Sequence, residues 1–141
     1  MQISARHFSD EEAASLLRAR GIGITAQRVA ITRLIFERST HLSADEVFQL
    51  VNQGSQHVSK ATVYNTLGTL AGAGVIREVI ADPDRVFYDP NTAPHHHFYD
   101  TSTGALTDIP AHDIKLTGLP AMPPESELEG IDVIIRLRPR T

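Results

Sequence analysis

The order of hydrophobic periodicities predicts an α+β fold for this chain of 141 residues. Three observations carry that expectation. Stretches in the first half repeat apolar residues at helical spacing, two short β-prone runs joined by "DPD" follow them, and a β-branched run, "GIDVIIRLR", comes late in the sequence. Helices leading into a hairpin give the order of a winged helix, a relative of the helix-turn-helix. The chain therefore reads as an N-terminal winged helix followed by a small α/β domain.

Each element has a local reason. "SDEEAASLLRAR" opens on Ser9 with Glu12 three residues on, the pattern of a capping box, and stops at Gly21. "TAQRVAITRLIFERS" is capped by Thr25 and sets Val29, Ile31, Leu34, Ile35 and Phe36 mostly along one stripe. "SADEVFQLVNQ" repeats the capping signature with Ser43 and Glu46 and turns Val47, Leu50 and Val51 inward. "SKATVYNTLGTLAGAG" starts at Ser59, packs Val63, Leu67 and Leu70, and ends in "GAG". "VIREVIAD" and "RVFYD" read as a hairpin. "DPNTAP", residues 89–94, reads as a hinge between residues 1–88 and residues 95–141. Beyond it, "HHHFYDT" and "GALTDIP" read as strands around an "STG" turn. "HDIKLTGLPAMPPESE" reads as a short helix and then a loop, and residues 130–138 read as a strand.

Composition narrows the chemistry. Cysteine is absent, which excludes disulfides, thiolate nucleophiles and cysteine-ligated zinc or iron–sulfur sites. No apolar run approaches the roughly 18 residues a membrane span needs. "MQISARHFSDEE" is polar and acidic rather than basic and then apolar, so no secretory signal is expected and the expected location is cytoplasmic. The net charge of −4 is uneven: residues 1–80 carry eight basic and seven acidic side chains, residues 81–141 five and ten. A barely basic first half must draw any affinity for DNA from a few placed side chains and from pairing of two copies.

In "SKATVYNTL", Val63 and Leu67 face a core, so Lys60, Ala61, Tyr64, Asn65 and in part Thr62 project the other way. Lys60 can meet a phosphate, Asn65 can pair with an adenine edge, and Ala61, Thr62 or the Tyr64 ring can touch a thymine methyl. No acidic residue lies between Ser59 and Gly74 to repel a phosphate. The alternative is the solvated face of an ordinary helical bundle.

"APHHHFYD" places three of the seven histidines in a row. On an extended segment His95 and His97 share a face and His96 points away. Two imidazoles so spaced form a clamp for Zn²⁺, Fe²⁺ or Mn²⁺, and Asp89, six residues upstream, and Asp108, eleven downstream, are carboxylates within reach of such a strand. His41 comes from the first half. Three imidazoles and two carboxylates suit a five-coordinate Fe²⁺ or Mn²⁺ better than a tetrahedral structural zinc. The alternative is a pair of solvated histidines on an edge strand. His7, His57 and His112 are isolated, and only His112 is a candidate for a secondary site.

With "GITAQRVAI", "HLSADEVF", "SKATVYNTLGTLAGAGVI", "HHHF" and "GALTDI" together, the sequence resembles the ferric uptake regulator (Fur) superfamily of bacterial metal-responsive repressors, from about residue 10 onward. The resemblance puts the family's regulatory metal site on His41, Asp89, His95, His97 and Asp108. Aspartate at position 89 is similar to the peroxide-sensing branch. The DNA-reading helix falls on residues 59–71, opened by Ser59, with Tyr64 and Asn65 meeting bases and Arg20, Arg28 and Lys60 meeting the backbone. Residues 95–141 become a dimerisation and sensing domain. Most relatives carry a Cys–X–X–Cys pair after the histidines, where Asp100 and Thr103 stand here. The absence of a four-cysteine structural zinc site resembles the iron response regulator branch, associated with haem sensing, which makes His96 a candidate axial ligand and His96 with His112 a candidate second site.

The resemblance implies a homodimeric regulator of iron-homeostasis or oxidative-stress genes, binding a palindromic double-stranded operator. Fe²⁺ or Mn²⁺ is the expected ion, with Zn²⁺ binding in vitro and haem as an alternative ligand. An ion held by both halves would set the spacing of two recognition helices, which must lie roughly 34 Å apart to enter successive major grooves. Two other classes compete: a non-haem metalloenzyme, and a haem or metal buffer without DNA binding. A winged helix has no role in catalysis, and no further acid, base or nucleophile lies near the histidines in sequence.

Overall fold

The computed structural model describes residues 7–38, 40–54 and 57–141; Ser39, at the end of the second expected helix, lies outside them. The chain divides into two compact units, Met1–Thr92 and Ala93–Thr141. The first holds α1 (Asp10–Ala19), α2 (Ala26–Arg38), β1 (Leu42–Ser43), α3 (Ala44–Val51), α4 (Lys60–Gly72), β2 (Arg77–Asp82) and β3 (Arg85–Asp89).

The helices begin where hydroxyl caps satisfy otherwise unpaired backbone N–H groups. The Ser9 hydroxyl accepts from the Glu12 N–H at 3.0 Å and Thr25 Oγ1 from the Arg28 N–H at 3.1 Å. At α3 both arms of the capping box form: Ser43 Oγ accepts from Glu46 N–H, and Glu46 Oε1 accepts from Ser43 N–H. Ser59 Oγ accepts from Thr62 N–H at 3.1 Å and starts α4. Gly74, at φ +74°, ends the α4 turn in the left-handed region that a side chain would strain.

The amphipathic stripes meet in one core of Leu17, Ile31, Ile35, Val47, Val63, Leu67 and Leu70, all fully buried, with Leu34 and Leu50 only partly covered. The core also swallows Thr32, whose hydroxyl is fully buried and has no hydrogen-bond partner among the described residues. The Asn52 amide fixes the turn between α3 and α4. Its Nδ2 donates to the carbonyls of Phe48 and Val58, at 2.8 and 3.0 Å, and its Oδ1 accepts from Val58 N–H at 2.7 Å. Arg33 ties the approach to α1 onto α2, donating to Phe8 O, Asp10 and Glu37 at 2.7–2.8 Å.

β2 and β3 form the expected antiparallel hairpin, with a bulge between Ile80 and Asp82. β1 adds itself to the far edge of β3, pairing Leu42 with Tyr88 and Ser43 with Phe87, giving the order β1-β3-β2. Asp89 pairs with Arg77 and closes β3 as the last residue of "RVFYD", so it stands where the strand meets the segment 89–94.

The second unit is built on β4 (His96–Asp100), flanked by β5 (Leu106–Ile109) and β6 (Ile134–Leu137). β5 runs antiparallel to β4 through a turn closed by Gly104 N–H to Asp100 O at 2.8 Å, with Gly104 at φ +76°. β6 runs parallel to β4. Parallel neighbours need a crossover of roughly a dozen residues or more, which the long stretch after β5 supplies. That stretch holds the 3₁₀ turn Ala111–Asp113 where a short helix was expected. Tyr99, Leu106 and Ile109 are buried, whereas Leu116, Leu119, Met122, Leu128, Ile135 and Leu137 are exposed.

Candidate metal centre and nucleic-acid interface

β4 delivers the histidines as alternation requires. His95 and His97 stand on one face with ring centroids 4.5 Å apart, and the register sets His97 opposite Asp108. The Nε2 atoms of His95 and His97 each lie 3.4 Å from Asp108 Oδ1. His97 is fully buried and His95 nearly so, while Asp108 is half exposed. His95 Nδ1 lies 2.7 Å from the Ala93 carbonyl, which can only accept. Nδ1 therefore donates, and Nε2 is the ring nitrogen on the side of the carboxylate. A backbone carbonyl behind a histidine is the usual device that orients a metal ligand.

The first unit holds a second His–Asp pair. His41, just before β1, and Asp89, at the end of β3, are brought near each other because β1 pairs with β3. His41 Nε2 lies 4.0 Å from Asp89 Oδ2, beyond a hydrogen bond, and both side chains are largely buried. Asp89 is held by its other oxygen, which accepts from Asn91 N–H at 2.9 Å. Ligands at roughly 2.1 Å from one ion stand about 3.0 Å apart at right angles and about 4.2 Å apart when opposite. The 3.4 Å and 4.0 Å separations fall in that range. Imidazole nitrogens with carboxylate oxygens are a donor set for Mn²⁺, Fe²⁺ or Zn²⁺, so both pairs fit a divalent ion.

The remaining histidines do other things. His96 is buried on the opposite face of β4, and its Nδ1 accepts from the Val133 N–H at 3.1 Å. A ring whose Nδ1 accepts has its proton on Nε2, which does not suit an axial haem ligand, so no haem chemistry is assigned to it. His112 is exposed in the 3₁₀ turn, with Nε2 3.2 Å from Asp113 Oδ1.

α4 presents Lys60, Ala61, Tyr64 and Asn65 to solvent, with Thr62 half-buried and Val63, Thr66, Leu67 and Leu70 inward. Ser59 is spent on capping: its hydroxyl also donates to Thr62 Oγ1 at 2.9 Å. Lys60 Nζ sits 3.4 Å from Asp45 Oδ1 on α3, an exposed pair that a phosphate can exchange for itself. Two further arginines are anchored to backbone carbonyls: Arg20 Nη1 donates to Ala73 O at 2.8 Å and Arg28 Nη1 to Gly23 O at 2.7 Å. Each keeps other guanidinium N–H groups to offer. The Asp45 partner and the Ala93 and Val133 bonds were missed in sequence. Asp45 is not marked by any spacing rule, and the other two are side-chain bonds to backbone.

The hairpin tip carries Asp82 and Asp84 beside Arg85, and Asp82 Oδ1 accepts from Asp84 N–H at 2.8 Å. Tyr88, behind it, has its hydroxyl pushed above the usual range by burial first, then by the charge of Glu78, its partner in the ladder.

Comparison with known proteins gives the family and the fold. The family model described as the ferric uptake regulator family matches residues 19–120. The peroxide-responsive repressor PerR of Staphylococcus aureus (strain Mu50 / ATCC 700699) is 35% identical over 109 residues, which cover 77% of this chain and 74% of that one. The ferric uptake regulator from Pseudomonas aeruginosa, solved with manganese, has a TM-score of 0.68 at 20% identity, over 92% of this chain and 98% of that one. The regulator from Francisella tularensis, solved with iron, has a TM-score of 0.70 at 22% identity, over 85% and 93%. The two structures speak to the fold; the similarity to PerR extends the likeness to the peroxide-sensing branch beyond Asp89. The chain belongs to the ferric uptake regulator family of metal-responsive transcriptional regulators.

Proposed function

We propose that this chain is a homodimeric repressor that binds a palindromic duplex in the cytoplasm and answers to Fe²⁺ or Mn²⁺, governing iron-homeostasis or oxidative-stress genes. The observation that carries the reading is the convergence of two imidazoles on one Asp108 oxygen, with one ring already oriented by Ala93. In this reading His41 from the DNA-binding half, Asp89 from the start of the hinge, and His95, His97 and Asp108 from the second half ligate one ion. The bound ion supplies a fixed positive charge that neutralises the carboxylates and couples the units. Residues 1–88 then act as the DNA-binding domain, 89–94 as the hinge and 95–141 as the dimerisation and sensing domain. Relatives solved with manganese and with iron support the choice of ion.

Ser59 and Thr62 start the reading helix, Ala61, Tyr64 and Asn65 meet bases, and Lys60, Arg20 and Arg28 meet phosphates. The exposed apolar residues of the second unit support pairing with another copy, because so small a sheet cannot cover them alone. An ion that binds the DNA-competent arrangement more tightly than any other shifts the population toward it by that difference in affinity. Gel-shift against genomic fragments, with chelator, Mn²⁺, Fe²⁺ or Zn²⁺, is the test. A discrete fragment retarded only with metal is the expected result; metal binding with no retarded fragment would leave a buffer or an enzyme instead.

A further inference from the structure

We infer that His96 is a positioning residue that holds β6 on the ligand-bearing strand β4, rather than a ligand itself. β6 is an edge strand reached by a long crossover and paired in parallel, the less stable pairing per residue. It is clasped at both ends. At its start, His97 N–H donates to Val133 O at 3.1 Å and Val133 N–H donates to His96 Nδ1 at 3.1 Å, so successive histidines take both backbone groups of Val133. At its end, the Thr101 N–H and hydroxyl both donate to Leu137 O, at 2.9 and 3.1 Å.

The chemistry of the two neighbouring rings is opposite. His95 donates from Nδ1 to Ala93 O, which leaves Nε2 as the nitrogen a metal would take. His96 spends its Nδ1 lone pair on Val133 and keeps its proton on Nε2. A cation that took Nδ1 of His96 would break the Val133 bond and free the start of β6. The exposed side chains of β6, Ile135 and Leu137, belong to the edge that, on the dimer reading proposed above, faces a second copy. His96 thus makes the position of that edge depend on the strand that carries His95 and His97.

The test uses the full chain, metal-free. Long-range proton–nitrogen correlation spectra should show His96 protonated on Nε2 and His95 on Nδ1. In dilution sedimentation, His96→Leu should raise the dimer dissociation constant about three- to tenfold, the range of one lost hydrogen bond. His96→Asn, whose Oδ1 stands where Nδ1 stood, should restore most of the loss. A proton on Nδ1 of His96, or a leucine variant that dimerises like the parent, overturns the inference; if the leucine variant does not fold, the parent's spectrum decides. Calorimetry with Mn²⁺ on the parent is read separately. No binding there sinks the metal reading and a monomeric parent sinks the dimer reading, while the tautomers still decide the role of His96.

Discussion

The His95 ring is oriented by its own backbone, and that small fact separates it from a surface histidine. The ring is aimed by Ala93 O, two residues back, and its Nε2 stands 3.4 Å from an Asp108 oxygen. Alternation along a strand was legible in "HHHF"; the carbonyl behind the ring was not, because nothing in residue type predicts where a backbone oxygen will stand. Two other side chains make predictions at this scale. Thr32 buries a hydroxyl with no partner among the described residues, so Thr32→Val, of nearly the same shape, should stabilise the protein by about 1 kcal/mol in denaturant unfolding. Asp100 caps the β4–β5 turn, with Oδ1 accepting from the Ser102 hydroxyl and the Ser102 and Thr103 N–H groups. Those bonds, the Ser102 hydroxyl first, hold its carboxyl below the ordinary 3.8. Below that value the unfolded chain takes up the proton more readily than the folded one. Asp100's contribution is therefore full above about pH 4 and lost as pH falls through the folded value. Asp100→Ala should lower the melting temperature at pH 7 and match the parent at the acid end of a pH series.

At the scale of the element, α3 and α4 were the most legible parts of the chain. Ser43 with Glu46, and Ser59 ahead of a run free of carboxylates, announce their own starts, and the inward spacing of Val63, Leu67 and Leu70 leaves Tyr64 and Asn65 outside. β1 was illegible for a physical reason: two residues have no periodicity, and they are a strand only because β3 is beside them. That pairing is what brings His41 to Asp89. Asn65→Ala should cost roughly 1–3 kcal/mol of discrimination between operator and scrambled duplex, with affinity for the scrambled duplex little changed. The hairpin gives the opposite expectation. Asp84 at its tip faces any phosphate with the wrong sign, so Asp84→Ser should tighten DNA binding about two- to fivefold at low salt, the gain shrinking as salt screens it.

For the whole molecule, the uneven charge of residues 1–80 and 81–141 suggested two halves with different work, and the chain divides into two compact units after Thr92. What the sequence could not carry was the economy of the second unit, whose small sheet leaves Leu116, Leu119, Met122 and Leu128 to find cover elsewhere. Each unit contributes its own His–Asp set, His41 with Asp89 in the first and His95 and His97 with Asp108 in the second, and the proposed function has both serve one ion. The direct measurement is operator affinity by fluorescence anisotropy, with and without saturating Mn²⁺, for the parent, His41→Ala, Asp108→Ala and the double variant. A single shared ion predicts that each single variant loses the metal-dependent gain, that the double variant loses no more, and that metal-free affinity is unchanged throughout. A His41→Ala protein that keeps the full gain, or losses that simply add in the double variant, would contradict it.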